Sequence, residues 1–205
     1  MAAHTTLVDL LRHGETERGA GFRGSTDDAL TPRGLEQMRA AIEEECTWNW
    51  IVTSPLRRCA DFARELGRRR RIPVETEQRL QEIHFGAWET KSAEQLTAED
   101  RDGLPRFWSD PSRHPPPGGE TLARFQERVV SSWKHQIRRH AGQRILIVSH
   151  AGPIRVILCH VLEIAIAELL RFEVPHASVT RIQVDSDAEG RTRARRLGDV
   201  GSRAC

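Results

Sequence analysis

The sequence has little that would take it out of a soluble, reducing setting. Cysteine is scarce: four in 205 residues, at positions 46, 59, 159 and 205. None forms a C-x-x-C pair or stands at zinc-ligand spacing to a histidine pair, which argues against a disulfide scaffold and against a structural zinc site. Cys59 and Cys159 are expected as small core residues within helices, in a chain that stays in the cytoplasm. Long apolar runs are also missing. Ile145-Leu146-Ile147-Val148 is far shorter than the roughly 20 residues a membrane-spanning helix needs. Met1 to Leu11 is short and passes straight into a charged segment, so no signal peptide is expected. Charge of one sign does not dominate: 31 Lys and Arg stand against 29 Asp and Glu, a formal net charge of +2. That gives no general pull toward nucleic acid. Arginines do crowd at Arg68 to Arg71 and at Arg191, Arg193, Arg195 and Arg196. No aromatic residues interleave with them to stack on bases, so solvated faces are expected. Neither a G-x-S-x-G elbow nor a P-loop occurs, which speaks against acyl transfer and against P-loop phosphate binding.

What is present suits one soluble domain over residues 1–205, with 38% hydrophobic and 29% charged residues and a polar tail from about residue 185. Leu7 to Leu11 reads as a short buried strand. Gly14 to Asp28 has no period and is a loop. Thr31 then offers an N-cap with Pro32 at the first helical position, and Leu35, Met38 and Ile42 follow at helical spacing. Trp50 to Thr53 is a second strand. Ser54 and Pro55 repeat the cap-plus-proline signal before the helical face of Leu56, Ala60, Ala63 and Leu66. A short strand and a loop fill 72–89, and short helices fill 91–108. Asp110 to Gly119 is a loop. Leu122, Phe125, Val129, Trp133 and Ile137 mark a long amphipathic helix. Arg144 to Ser149 is the next strand, Pro153 starts a helix to about Val161, and Ser178 to Val184 is a further strand. The tail has room for one arginine-rich edge strand. Alternating strands and helices predict a three-layer α/β/α fold with a mostly parallel central sheet.

Three segments share one layout of apolar strand, tight turn and helix. They end at Arg12-His13, at Ser54 with Arg57 and Arg58 in the next turn, and at His150. In open α/β sheets, ligands bind outside the carboxyl ends of the strands. Two histidines and at least one arginine are therefore expected at one crevice. A neutral imidazole is a competent nucleophile near neutral pH. Guanidinium forks match phosphate oxygens, and helix N-termini add N–H groups aimed at an anion. The cluster suits phosphate. Arg57 and Arg58 point about 100° apart on a helix, so only one can face the site, and spacing leaves both open.

Arg12-His13-Gly14-Glu15-Thr16 resembles the signature of the histidine phosphatase superfamily, which includes the cofactor-dependent phosphoglycerate mutases. Further segments are similar in the family's order: Phe22-Arg23-Gly24 through Leu30-Thr31 and Gly34, then Ser54-Pro55-Leu56-Arg57-Arg58. Leu80-Gln81-Glu82 with Phe85-Gly86-Ala87-Trp88-Glu89 follows, then Gly118-Gly119-Glu120-Thr121, and Val148-Ser149-His150-Ala151-Gly152 with Ile154-Arg155. The resemblance spans nearly the whole chain to about Val184. It implies a phosphoglycerate mutase-like fold and a phosphohistidine formed on His13. It implies Arg12 and Arg58 as phosphate ligands, with His150 as the second histidine that steadies the phosphoryl charge. Glu82 becomes the general acid, chosen by the match over its neighbours Glu77 and Glu89. Thr16, Gly24 and Ala151 complete the expected phosphate- and substrate-binding set. No cofactor or metal is expected, because arginines and histidines supply the positive charge. His84, His114 and His176 read as loop residues, and His4, His135, His140 and His160 as surface or helix residues.

The family holds mutases and phosphatases on one core. Mutases carry an arginine pair before the proline-rich loop, where this chain has Phe107-Trp108-Ser109-Asp110. They carry asparagine and tryptophan just after the signature, where Arg18 and Gly19 stand here. The segment from Lys91 to Pro115 is also short. These departures favour a phosphatase. Among phosphatases the motifs are most similar to the bacterial α-ribazole phosphatases of cobalamin synthesis. A broad-specificity sugar or nucleotide phosphatase is the alternative, ahead of a cofactor-dependent mutase and a non-catalytic phospho-ligand-binding protein. Phe22, Trp88 and Trp108 could stack on a heterocycle or simply pack. The expected partner is a small phosphate ester, not nucleic acid or membrane. Oligomeric state, homodimer included, is not legible.

Overall fold

A computed structural model describes residues 3–19, 21–42, 47–189 and 191–200. Cys46 and Cys205 lie outside these residues. Strands β1 (His4–Arg12), β2 (Trp50–Thr53), β3 (Val74–Thr76), β4 (Arg144–Ser149), β5 (Val179–Ser186) and β6 (Thr192–Val200) form one six-stranded sheet in the order β3-β2-β4-β1-β5-β6. The pairs β3-β2, β2-β4 and β4-β1 are parallel, and β5 and β6 add two antiparallel pairings. The helices are α1 (Pro32–Ala40), α2 (Arg57–Arg70), α3 (Ala93–Glu99), α4 (Gly103–Ser109), α5 (Leu122–Arg139) and α6 (Ala151–Val161), with short 3-10 turns between some of them. The mostly parallel α/β architecture is the one expected.

The central strands are apolar at nearly every position because both faces are covered. Val8, Leu10, Ile145 and Ile147 pack with Phe125, Val129 and Trp133 of α5 and Ile154 and Leu158 of α6. Their alternate neighbours Leu11, Leu146 and Val148 pack with Met38 of α1 and Phe62 and Leu66 of α2. The period-two alternation of strand side chains sends each set to its own layer. Cys59 and Cys159 are buried free thiols inside α2 and α6, as expected. The run from Arg68 to Arg70 ends α2, where cations face the negative end of the helix dipole.

Four local expectations need correction. Helix α2 starts at Arg57, not at the Ser54-Pro55 signal, and Leu56 is its N-cap without a side-chain bond. The Ser54 hydroxyl is drawn instead to His150, at 2.8 Å. Helix α6 starts at Ala151, two residues before Pro153, with His150 as an extended N-cap. Proline is tolerated there because N–H groups of a first turn have no partner inside the helix. His140 is buried, its ring centroid 4.9 Å from that of Trp50, because α5 ends against the start of β2. His4 belongs to β1. The arginine-rich tail does form an edge strand, β6.

Candidate active site

Strand register brings the site together. β1 and β4 run parallel with Arg12 opposite Ser149, so His13 and His150 leave neighbouring strand ends side by side. The His13 N–H donates to the Ser149 carbonyl at 3.0 Å, and the two imidazole centroids are 5.2 Å apart at 63°. β2 pairs with β4 on its other side, Thr53 opposite Val148. Ser54 therefore also emerges here, its N–H on the Val148 carbonyl at 3.0 Å.

His13 is buried. Its Nδ1 lies 2.8 Å from the Gly14 carbonyl oxygen. A carbonyl only accepts, so Nδ1 carries the hydrogen and Nε2 keeps its lone pair. Burial, followed by the positive charge of Arg58, holds the imidazole well below its ordinary pKa. The ring is thus neutral at neutral pH, with its Nε2 lone pair available.

Arg58 is fully buried on the first turn of α2. Its Nε donates to His150 Nδ1 at 3.0 Å. Nη1 donates to the Thr26 carbonyl at 2.6 Å and meets Asp28 at 3.3 Å. Nη2 donates to the Gly24 carbonyl at 2.8 Å. Arg57, by contrast, turns to solvent and pairs with Asp61 at 3.5 Å. The structure therefore brings Arg58 to the site and leaves Arg57 out. His150 is fully buried, and burial and Arg58 hold its pKa well below the ordinary value. With Nδ1 accepting from Arg58, its Nε2–H donates to Ser54 Oγ. Arg12 is tied at Nη1 to the Val174 carbonyl, 2.6 Å away. Its buried Nε has no hydrogen-bond partner among the described residues.

Glu82 lies at the start of α6. Its carboxylate accepts from the Gly152 N–H at 3.0 Å and from its own neighbour Ile83 N–H at 2.9 Å. A Cβ on Gly152 would sit 2.0 Å from the Glu82 carboxylate, so only glycine admits this approach. Arg128 of α5 holds the segment from behind. It donates to the carbonyls of Arg79, Gln81 and Glu82 at 2.8, 2.8 and 3.0 Å, and it forks onto Glu120. The two rival glutamates are engaged elsewhere. Glu77 binds Arg79 at 2.6 Å. Glu89 accepts from the N–H groups of Gly24, Ser25, Thr26 and Phe85 and from the Thr26 hydroxyl at 2.6 Å.

The other expected residues frame the site. Gly24 has its N–H on Glu89 and its carbonyl on Arg58, and a Cβ there would meet the Ile83 carbonyl oxygen at 2.0 Å. Thr16 is buried and forms an isolated bridge with Leu30 that closes the loop after β1. Ala151 opens α6, so its N–H lacks a partner within the helix. Beside Glu82 and Arg155 lies a cavity of about 150 Å³, walled by Phe22, Phe85, Phe107, Trp108, Leu169 and Leu170. Trp108 is 53% exposed, whereas Trp88 is buried and packs edge-on against Phe22 and Phe107. Among the described residues, no group of three or more His, Cys, Asp or Glu side chains could hold a metal ion. No helix among them is long and apolar enough to cross a membrane.

Several residues at the site escaped the sequence reading. Asp28 pairs with both Arg58 and Arg23, the latter at 2.9 Å. Ser54, Glu89 and Arg128 hold the histidine, the loop and the acid segment. His176 is in a loop, as expected, but its ring centroid is 5.6 Å from that of His13. Only Ser54 carried a local signal, that of a helix cap; the contacts by which the rest reach Arg58, the Gly24–Thr26 loop, the Glu82 segment and His13 span 30 residues or more.

The model of the histidine phosphatase superfamily (branch 1) matches residues 8–199. The chain is 28% identical over 182 residues to "Putative phosphoserine phosphatase 2" of Hydrogenobacter thermophilus, covering 87% of this chain and 89% of that protein. It is 27% identical over 179 residues to the adenosylcobalamin/alpha-ribazole phosphatase of Salmonella typhimurium, covering 85% and 89%. A solved mycobacterial glucosyl-3-phosphoglycerate phosphatase superposes with a TM-score of 0.83 at 25% identity, over 95% of this chain and 98% of its own. Motif order and fold thus agree, and the chain belongs to branch 1 of the histidine phosphatase superfamily, as a phosphoric monoester hydrolase.

Proposed function

We propose that the chain, as one domain, hydrolyses small phosphate monoesters through a phosphohistidine on His13, with α-ribazole 5′-phosphate as its natural ester. The observation that carries the mechanism is the state of His13: a buried neutral imidazole with Nδ1–H fixed on Gly14 and Nε2 left as lone pair. Nε2 attacks phosphorus, the bond from phosphorus to the ester oxygen breaks, and Glu82 gives its proton to the departing alkoxide. Water then attacks the phosphohistidine, Glu82 takes back a proton, the N–P bond breaks, and inorganic phosphate leaves. Arg12 holds phosphate oxygens through its unpartnered Nε, and Arg58 adds fixed positive charge. His150 reaches the phosphoryl group by exchanging its bond to Ser54 for one to a phosphate oxygen. The Ala151 N–H adds a helix-start donor, and Thr16 and Gly24 shape the loop that closes the pocket.

The choice of ester is supported by the cavity next to Glu82. A cavity of about 150 Å³ is of the size that accepts a benzene-sized ring, and five aromatic side chains wall this one beside Glu82, Glu120 and Arg155. An aromatic base can lie against these rings, whereas phosphoserine has no ring to set on them. The test is turnover of α-ribazole phosphate, phosphoserine and p-nitrophenyl phosphate with excess chelator present. The expected result is chelator-independent hydrolysis, fastest for α-ribazole phosphate and lost in His13→Ala. Wild-type rates in His13→Ala overturn the mechanism, and preference for phosphoserine overturns the substrate. Mutase activity stimulated by 2,3-bisphosphoglycerate, with negligible hydrolysis, overturns both.

A further inference from the structure

A third imidazole stands at the mouth of the site, and the mechanism above does not use it. The segment before β5 is stitched to the end of β1. Arg12 Nη1 donates to the Val174 carbonyl, the Arg12 N–H to the Ser178 carbonyl at 3.1 Å, and the Ala177 N–H to the His13 carbonyl at 3.2 Å. Ala177 takes a left-handed backbone, φ 57°, to make this approach. His176 is thereby held over His13, centroids 5.6 Å apart and rings tilted by 47°. Unlike His13 and His150, it is exposed. Its ring nitrogens make no hydrogen bond among the described residues.

We propose that His176 is a phosphate-binding residue: protonated, it donates a charge-assisted hydrogen bond to the phosphoryl group at His13, so that ester binding draws a proton from solvent. This rests on the phosphohistidine reading above. The groups that face His176 are Arg12 and His13 from β1 and Glu15 from the loop after it. In the free protein, partial desolvation against its neighbours and then Arg12 lower its pKa, while Glu15 raises it. It is therefore mostly neutral at neutral pH. A bound phosphate brings up to two negative charges beside it and favours the charged ring. His13 and His150 cannot serve in this way. One is the nucleophile, and the other keeps Nδ1 accepting from Arg58, so it meets phosphate through Nε2–H without taking up a proton. Guanidinium groups as a class do not change charge over the pH range of the experiment. Among the groups placed on the phosphate here, His176 alone makes affinity depend on pH through a histidine.

The sign follows. Below the free-protein pKa the ring is charged before and after binding, and its bond contributes fully. Above the pKa of the complex it is neutral in both, and the contribution vanishes. Between them one proton is taken up per phosphate bound.

The experiment is calorimetric titration with inorganic phosphate at pH 5.5 and pH 8.5, for wild type, His176→Asn and His176→Lys. Comparing variants at one pH cancels the titration of phosphate itself. His176→Asn is expected to bind roughly tenfold more weakly at pH 5.5 and within about twofold of wild type at pH 8.5. His176→Lys, charged throughout, is expected to bind at pH 8.5 more tightly than either. Titration near pH 7 in two buffers of different ionisation heat is expected to show proton uptake that His176→Asn loses. Equal weakening of His176→Asn at both pH values points to packing alone and overturns the proposal, as does a lysine variant no tighter than the asparagine one at pH 8.5. If wild type fails to bind phosphate and His13→Ala keeps its turnover, the phosphohistidine reading falls and this inference with it. If turnover depends on His13 while the His176 variants behave as wild type, this inference alone falls.

Discussion

Arg58 donates through Nε to Nδ1 of His150 at 3.0 Å, and that one bond sets which nitrogen of the second histidine holds its proton. An arginine cannot accept, so His150 must present Nε2–H on its other side, toward Ser54. The arginine thus acts in two ways. It brings positive charge to the site and it fixes a tautomer. Lysine would keep the charge and lose the fork that also holds the Thr26 and Gly24 carbonyls. Arg58→Lys is expected to lower kcat/KM by roughly a hundredfold, as read by steady-state hydrolysis of p-nitrophenyl phosphate. A loss under about threefold would show that charge alone suffices.

Gly152→Ala tests the placement of Glu82. The added methyl would occupy the space of the carboxylate and push it from the helix start. The expected outcome is a fall in kcat of roughly a hundredfold, similar to that of Glu82→Gln. KM should change little, because the phosphate ligands stay in place. Burst kinetics would locate the defect in phosphoryl transfer.

The pH dependence of stability has a definite sign. His13 and His150 are held well below the ordinary imidazole pKa, first by burial and then by Arg58. The unfolded chain takes up protons near pH 6.5, while the folded protein does so only at lower pH. The stability concerned is fully present above the unfolded value and is lost as pH falls toward the folded values, at up to about 1.4 kcal/mol per pH unit for each group. Thermal melts are expected to shift downward between pH 7 and 5.5, with a shallower slope in His150→Asn.

Glu89→Gln tests the loop clasp. One carboxylate gathers donors from three successive residues, Gly24 to Thr26, and from Phe85. An amide replaces one acceptor oxygen with a donor and leaves part-buried N–H groups facing it. The expected cost is about 1–3 kcal/mol of stability, measured by denaturant unfolding. Activity should fall too, because the same loop supplies the carbonyls that hold Arg58.

Trp108→Ala separates substrate choice from chemistry. Trp108 walls the cavity and is the most exposed large apolar side chain described. Its loss should raise KM for an aromatic ester several-fold, on the order of the 0.5–1.5 kcal/mol of an aromatic pair. Rates on phosphoserine should hardly move.

Elements were legible in the sequence where a local signal had no competitor. Thr31 caps α1 through its hydroxyl on the Gly34 N–H, and the apolar spacing of Leu122 to Ile137 predicts α5 closely. The signal misled where tertiary demand took the residue. Ser54 has the form of a cap, but its hydroxyl serves His150, so α2 starts later. The meeting of His13, Arg58 and His150 followed from the strand-end layout. The choice of Arg58 over Arg57 needed the family resemblance. Asp28, Glu89 and Arg128 were not legible, because a carboxylate or guanidinium in a polar segment looks the same in solvent as over a buried loop. His176 was seen only as a loop residue for a related reason: its approach depends on the direction of β5, which no local pattern encodes.

That direction divides the molecule into a chemical end and an attachment end. β5 runs against β1, with His4 opposite Ser186, so the turn joining β5 to β6 lies at the far edge of the sheet from His13. The residues just before β5 lie at the His13 end of the sheet, and the turn just after it lies at the opposite end. A peptide tag or a surface anchor inserted in that turn would leave the phosphate pocket a full sheet length away. The enzyme can therefore be immobilised there with its mouth presented outward.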